Sequence, residues 1–255
     1  MSGYDLDVST YSPEGRVYQV EYAEKAVHTA PTALAIVCQD GVLFGMEKQK
    51  LSKLLVDGTN KHIMKVHESA GLAFTGLTPD GRQVVNRSRE EAQSYKKNWS
   101  EVIPPRLLAE RLGSYMHVFT LYGSVRPFGC SVLLGAVDHD EGEEASLFCV
   151  EPSGEISKWN KGHAIGKERQ LAKTEIEKLP TSENGKVVAA SCRDSMVSVA
   201  RIIHKVHDEK DRAFELEMAW VCKDSGYKFA TVPKEMLKEA ETEALRLIEA
   251  EDEDA

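Results

Sequence analysis

The sequence predicts an α+β, layered chain built as one domain. Three observations carry this: apolar strand pairs joined by tight turns, helix pairs recurring between them, and no low-complexity linker in 255 residues. Strand blocks and helix pairs alternate twice along the chain. Antiparallel hairpins argue against a purely βαβ arrangement, whose strands need long crossovers. Grouped strands and grouped helices therefore predict two sheets packed through their inner faces, with helices outside.

Each element follows from local pattern. Ser12-Pro13-Glu14-Gly15 suits a type I turn, because Pro13 presets the φ that its second position needs. Val17, Val20, Ala23 and Val27 then recur at helical spacing. Ala33–Cys38 is an apolar run, Asp40-Gly41 a turn signal and 42–46 a second run, together a hairpin. Residues 71–75 read as another strand. Thr78 is the expected N-cap of the next helix, with Pro79 at its first position and Val84, Val85, Ser88, Ala92 and Tyr95 on one face. Pro104-Pro105 breaks that pattern, and Leu108, Leu112, Tyr115, Phe119 and Tyr122 define a further helix. Strands are expected at 131–137, 146–150 and 155–159. Two helices follow, one over 167–179 and one through Cys192, Met196, Val199, Ile203 and Val206. Phe214, Leu216, Met218, Trp220 and Cys222 alternate with other residues as in a half-buried strand, and a last helix begins near Pro233.

Composition removes several function classes. The chain is 42% hydrophobic and 29% charged, as expected of a soluble globular protein. No window reaches ~18 apolar residues, so no membrane helix is expected, and the N-terminus lacks the pattern of a secretory signal. The sequons at Asn86 and Asn98 are then expected to stay unmodified. Five cysteines (Cys38, Cys130, Cys149, Cys192, Cys222) without a Cys-x-x-Cys spacing read as buried reduced thiols of a cytoplasmic or nuclear protein. The net charge of −9 is concentrated: residues 234–255 carry nine acids and three bases, a local −6. The nearly neutral body has no basic excess to neutralise phosphates, so no nucleic-acid partner is expected. Lys48, Lys50 and Lys53 read as a solvated face, and the acidic tail as a frayed helix end that aids solubility.

Motifs that imitate known chemistry fail on detail. Gly162-His163-Ala164-Ile165-Gly166-Lys167 is one residue short of a phosphate loop and has Glu168 where Ser or Thr would ligate magnesium. Its glycines are expected to admit close backbone packing instead. Asp138, Asp140 and Gly142 hint at calcium, but Cys149 stands where a bidentate Glu is required, which leaves a solvated hairpin turn. His204 and His207 are three apart on a helix with no third ligand in the neighbouring sequence, and suit a helix C-terminus. No metal or cofactor is expected.

Tyr4-Asp5, followed by the ungapped run from Tyr11 to Ala23 (YSPEGRVYQVEYA), resembles the N-terminal signature of proteasome alpha subunits. Leu121 to Cys130 (LYGSVRPFGC) and Ala164-Ile165-Gly166-Lys167 match later blocks of that family, and the resemblance covers roughly residues 4–232. The run from Ala172 to Leu179, with the acidic tail, is most similar to one eukaryotic class within it. The resemblance implies a four-layer αββα sandwich of the N-terminal-nucleophile hydrolase class. It divides the chain into a gate segment and helix (1–30), the sandwich (31–232) and a C-terminal helix with acidic tail (233–255). It also implies membership of a heteroheptameric ring stacked on the beta ring of the 20S core, in ubiquitin-dependent and other protein degradation. The implied partners are neighbouring alpha subunits, beta-ring subunits, and activators including the regulatory particle.

The resemblance raises the question of catalysis, because the family's beta subunits use a mature N-terminal threonine whose free amine acts as base. Thr32 stands at the start of the equivalent strand, but Pro31 precedes it and its nitrogen lies in a peptide bond. No catalytic residue is therefore expected. The alternative is an independent amidohydrolase activated by cleavage before Thr32. By resemblance, Tyr4, Asp5, Pro13 and Tyr22 form the gate cluster between subunits; without it, Tyr22 could equally pack the helix into the core. The three residues before Tyr4 span about 10 Å fully extended, too short a reach to block a pore much. The pocket for activator carboxylates maps to Lys61, His62 and Gly76, with His62 where family members often place lysine, a weaker anchor when neutral.

Overall fold

The structure is a computed structural model that describes residues 3–50, 52, 54–56, 58–138, 144–183, 185, 187–208 and 212–253. Ten strands form two antiparallel five-stranded sheets among the described residues. The first has the order β10-β9-β2-β1-β8: β10 (Phe229–Thr231), β9 (Phe214–Cys222), β2 (Gly41–Gln49), β1 (Ala33–Cys38) and β8 (Gly162–Ile165). The second runs β3-β4-β5-β6-β7: β3 (Ile63–His67), β4 (Ala70–Gly76), β5 (Cys130–Asp138), β6 (Glu144–Val150) and β7 (Ile156–Trp159). Helices α2 (Thr78–Trp99) and α3 (Pro105–Val118) cover the second sheet, while α4 (Arg169–Lys178), α5 (Met196–Val206) and α6 (Lys234–Glu253) cover the first. Helix α1 (Tyr18–His28) contacts β4 and β5. The result is the four-layer αββα sandwich.

The alternation of side chains along β1 shows why its sequence is apolar throughout. Ala33, Ala35 and Val37 face the opposite sheet, while Leu34, Ile36 and Cys38 face the helices. A strand covered on both faces reads as a continuous apolar run, not as an alternation. Between the sheets lies a layer of Val42, Phe44, Met46, Ile63, Ala73, Leu133 and Leu147. Phe44 fits there because Gly135 leaves it space, a Cβ on Gly135 standing 2.5 Å from Phe44 Cζ, while Gly71 makes room for Phe229.

Several local expectations change. Strands β3, β8 and β10 carry little period-2 signal in so few residues, and their pairing to longer neighbours is what forms them. Leu77, not Thr78, is the N-cap of α2, which leaves Thr78 and Pro79 inside the first turn. Helix α3 stops at Val118, with Phe119 as its C-cap, because Phe119 and Tyr115 turn onto Phe128 (ring centroids 4.6 and 5.5 Å away). Cys192 lies ahead of α5, and β9 is buried on both faces towards its end. Asn86 and Asn98 both lie within α2.

Replacing Gly135 with alanine places a methyl group against Phe44 and Val42, which is expected to destabilise the chain by about 1–3 kcal/mol. Urea unfolding measures it, and the second change Phe44→Leu should recover part of the loss. An unchanged midpoint for the single variant contradicts this packing.

Candidate functional site

The N-terminal segment is held by few contacts. Val8 is buried, and the turn closes through Ser12 N–H donating to the Arg16 carbonyl and Gly15 N–H to the Ser12 carbonyl, both at 2.9 Å. Gln19 Nε2 donates to the Asp5 carbonyl, which ties the segment to α1. The Asp5 carboxylate beside the Tyr22 hydroxyl holds the phenol above its ordinary pKa. Asp5 and Tyr22 thus come together within one chain. Tyr4, Pro13 and Tyr22 all stand exposed, Tyr22 by 48%.

Thr32 is completely buried. Its amide N–H donates to Glu47 Oε2 at 3.3 Å, and its Oγ1 accepts from the Glu168 N–H at 3.2 Å. The preceding Pro31 carbonyl accepts from Thr75 Oγ1, and the Ala30 carbonyl from the Lys167 N–H at 2.8 Å. Glu47 Oε1 also binds His207 Nδ1 at 2.9 Å. The peptide groups on either side of Thr32 are therefore engaged within the protein. An amide nitrogen whose lone pair is delocalised into the carbonyl is no proton acceptor.

The third region lies where β3, β4 and α2 converge. The Glu217 carboxylate accepts the backbone N–H groups of His62 (3.1 Å) and Ile63 (3.2 Å), fixing the chain at the start of β3. The His62 ring packs 5.2 Å from the Phe74 ring, and its Nε2 stands 3.5 Å from Thr78 Oγ1. Burial, then the cations of Lys48 and Arg82, push its pKa down to about 4, so the imidazole is neutral at physiological pH. Lys61 beside it is exposed. Gly76 ends β4 with φ of +110°, where a Cβ would stand 2.2 Å from the Gly129 carbonyl oxygen.

Two residues that sequence reasoning missed organise this corner. Asp80, in the first turn of α2, accepts from Arg126 Nη1 (2.6 Å) and Nη2 (2.9 Å) and from the Gly129 N–H (2.9 Å). Burial acts to raise its pKa, but Arg126 and the Gly129 N–H outweigh burial and hold the carboxyl below its ordinary range. The signal was present: Arg126 lies inside the 121–130 block, and Asp80 follows Thr78-Pro79 in the first turn, where a carboxylate suits the helix dipole.

The remaining motifs resolve into structure. Residues 162–165 are strand β8, paired with β1 from Ala33↔Ile165 to Ile36↔Gly162, and no phosphate loop forms there. His204 Nε2 meets Glu241 Oε1 at 3.0 Å while His207 turns to Glu47, so the two histidines are engaged by different carboxylates. Lys48 pairs with Glu215 at 3.2 Å; Lys53 lies outside the described residues. Asp140 and Gly142 also lie outside them. Among the described residues, no helix is long and apolar enough to cross a membrane.

Comparison with known proteins adds to this geometry. The family described as "Proteasome subunit" matches residues 27–221, and the N-terminal signature of the A-type members of that family matches residues 4–26. The chain is similar to "Proteasome subunit alpha type-3" of Arabidopsis thaliana, with 48% identity over 254 residues, 99% of this chain and 98% of that protein. The protein of the same description in Acanthamoeba castellanii is 48% identical over 252 residues, 98% of this chain and 96% of its own. "Probable proteasome subunit alpha type-7" of Saccharomyces cerevisiae is 48% identical over 221 residues, 86% of this chain and 74% of its own.

Acid should destabilise this chain through its buried histidines. Burial lowers His62 to about 4 and His163, with Lys173 beside it, to about 3, whereas an unfolded histidine titrates near ~6.5. Between those values the unfolded chain binds protons that the folded chain refuses, so stability falls as pH drops from about 6.5 towards 4. Urea unfolding at a series of pH values should show this slope, and His62→Gln should flatten it. An unaltered slope in that variant contradicts the assignment of His62.

Proposed function

The chain belongs to the proteasome subunit family, and on that premise we propose that it serves as a non-catalytic, gate-forming and activator-docking alpha subunit. As an alpha subunit of the 20S core it assembles with other proteasome subunits in a ring. The observation that carries the non-catalytic reading is Thr32, fully buried with its nitrogen in a peptide bond donating to Glu47. An independent amidohydrolase would need a free amine at that position, and the family match does not favour that alternative.

In this reading Asp5 and Tyr22 form the half of a gate cluster that one chain supplies. The exposed Tyr4 and Pro13 meet a neighbouring alpha subunit, where a phenol can donate across the interface and Pro13 keeps the turn rigid. Lys61, His62 and Gly76 line the pocket for an activator's C-terminal carboxylate, with the Lys61 ammonium as its charged group. The pair of Arg126 with Asp80 holds the Gly129 backbone against Gly76 and so keeps the rim of that pocket in place. The further partners are beta-ring subunits and the regulatory particle, the process is ubiquitin-dependent and other proteasomal degradation, and the location is the cytoplasm and nucleus. All five cysteines are buried and free, in keeping with a reducing compartment.

Native mass of the chain recovered through a C-terminal tag from its own cells should place it in a particle many times its own mass. Intact-mass measurement of the same material should show no loss of residues 1–31. A stable monomer, or a chain cleaved before Thr32, overturns the subunit reading. In the assembled particle, Tyr22→Phe should lower activator-stimulated peptide hydrolysis several-fold, and an unchanged stimulated rate removes it from the gate. His62→Lys should tighten binding of a carboxylate-terminated activator peptide and Lys61→Ala should weaken it. If neither changes affinity, the pocket lies elsewhere.

A further inference from the structure

Three of the five cysteines converge from separate segments. Cys38 ends β1, Cys222 ends β9, and Cys192 lies ahead of α5. Gly41 at the start of β2 pairs with Cys38 on one side and with Cys222 on the other, so the two cysteines flank a residue with no side chain. All three cysteines belong to the buried layer between the first sheet and its helices. Cys38 Sγ donates to Ser195 Oγ at 3.5 Å, and the Cys192 and Cys222 sulfurs lie within 4.8 Å of each other.

Asp40, in the turn between β1 and β2, accepts the Cys192 N–H through Oδ1 at 2.7 Å. A carboxylate oxygen of Asp40 and the sulfurs of Cys192 and Cys222 all lie within 4.8 Å of one another. A tetrahedral zinc with Zn–S of about 2.3 Å and Zn–O of about 2.0–2.2 Å places its ligand atoms roughly 3.5–4 Å apart. Ligand atoms within 4.8 Å of one another are compatible with that spacing. Cys222 Sγ also faces the backbone N–H of Ser225 at the start of a short 3-10 turn, an environment that stabilises thiolate.

We propose that this cluster is a binding site for a thiophilic divalent cation of the zinc class. Cys192 and Cys222 act as thiolates, Asp40 supplies a carboxylate oxygen, and a solvent molecule completes the tetrahedron, since Cys38 Sγ donates to Ser195 Oγ at 3.5 Å. Entry of the dication displaces the two thiol protons to solvent without any change of oxidation state. The ion would pin the ends of β1 and β9 to the segment that leads into α5. A second cluster, Cys149 with Glu151 and His163, is the weaker candidate. Glu151 there already accepts from Ser131 and Cys149, and Lys173 places a competing cation beside the group.

The test is titration of the reduced, metal-free full-length chain with cobalt(II), followed by zinc(II). One cobalt per chain is expected, with a near-ultraviolet thiolate-to-metal band and tetrahedral visible bands that zinc abolishes. Cys192→Ser and Cys222→Ser should each weaken binding by roughly 100-fold or more and Asp40→Asn by roughly 10-fold, while Cys149→Ser leaves it unchanged. In the unaltered chain, zinc should slow alkylation of Cys192 and Cys222 at least ten-fold and spare Cys149, a readout that needs no variant to fold. The proposal fails if the unaltered chain shows no thiolate band. It fails equally if the band survives the double change Cys192→Ser with Cys222→Ser, or if Cys149→Ser removes it.

Discussion

Everything else in this protein depends on the burial of two sheets against each other across one apolar layer. Phe44 sits at its centre, completely buried, over Gly135 and Gly71. A ring of that size packs at this depth only because the facing strands offer no side chain where it lies. The same contact sets the spacing of the two sheets, and the helices outside close over faces that the inner layer has already oriented.

From that stacking follows the position of Thr32. The strand it precedes lies inside its sheet, flanked by β2 and β8, and Thr75 of the opposite sheet reaches across to the Pro31 carbonyl. The surrounding carboxylate, amide and carbonyl groups hold the backbone through this point instead of leaving an open chain end. The backbone runs continuously through this place, with α1 and the N-terminal segment in front of it. Outside the core lie Asp5 with Tyr22 and the exposed Lys61, the groups that the proposed reading sets against other chains.

Much of the fold was legible in order along the chain. The hairpin of β1 and β2 followed from two apolar runs about Asp40-Gly41, and the helical spacing from Val17 to Val27 matched α1. Short strands were not legible. Residues 162–165 carried glycines that imitate a phosphate loop, and only pairing with β1 makes them a strand. The end of α3 was misplaced because Phe119 and Tyr122 continue its apolar spacing, whereas Phe119 turns to meet Phe128 across a loop. Among the site residues, His62 could be located by counting but not described. Its neutrality comes from burial against Phe74 and from Lys48 and Arg82, which are distant in sequence.

By itself the sequence determined the layered α+β class, the family resemblance, and the Pro31–Thr32 peptide bond of the encoded chain, because each rests on local pattern or covalent connection. The tertiary structure alone decided which groups meet. Asp80 with Arg126, Glu47 with His207, and Asp40 with Cys192 and Cys222 are separated by 46 to 182 residues along the chain. Such contacts arise from sheet order and from the packing of helices on sheets. No local spacing encodes them, since the free energy that brings those segments together is the burial of the whole apolar layer and not the preference of any one residue.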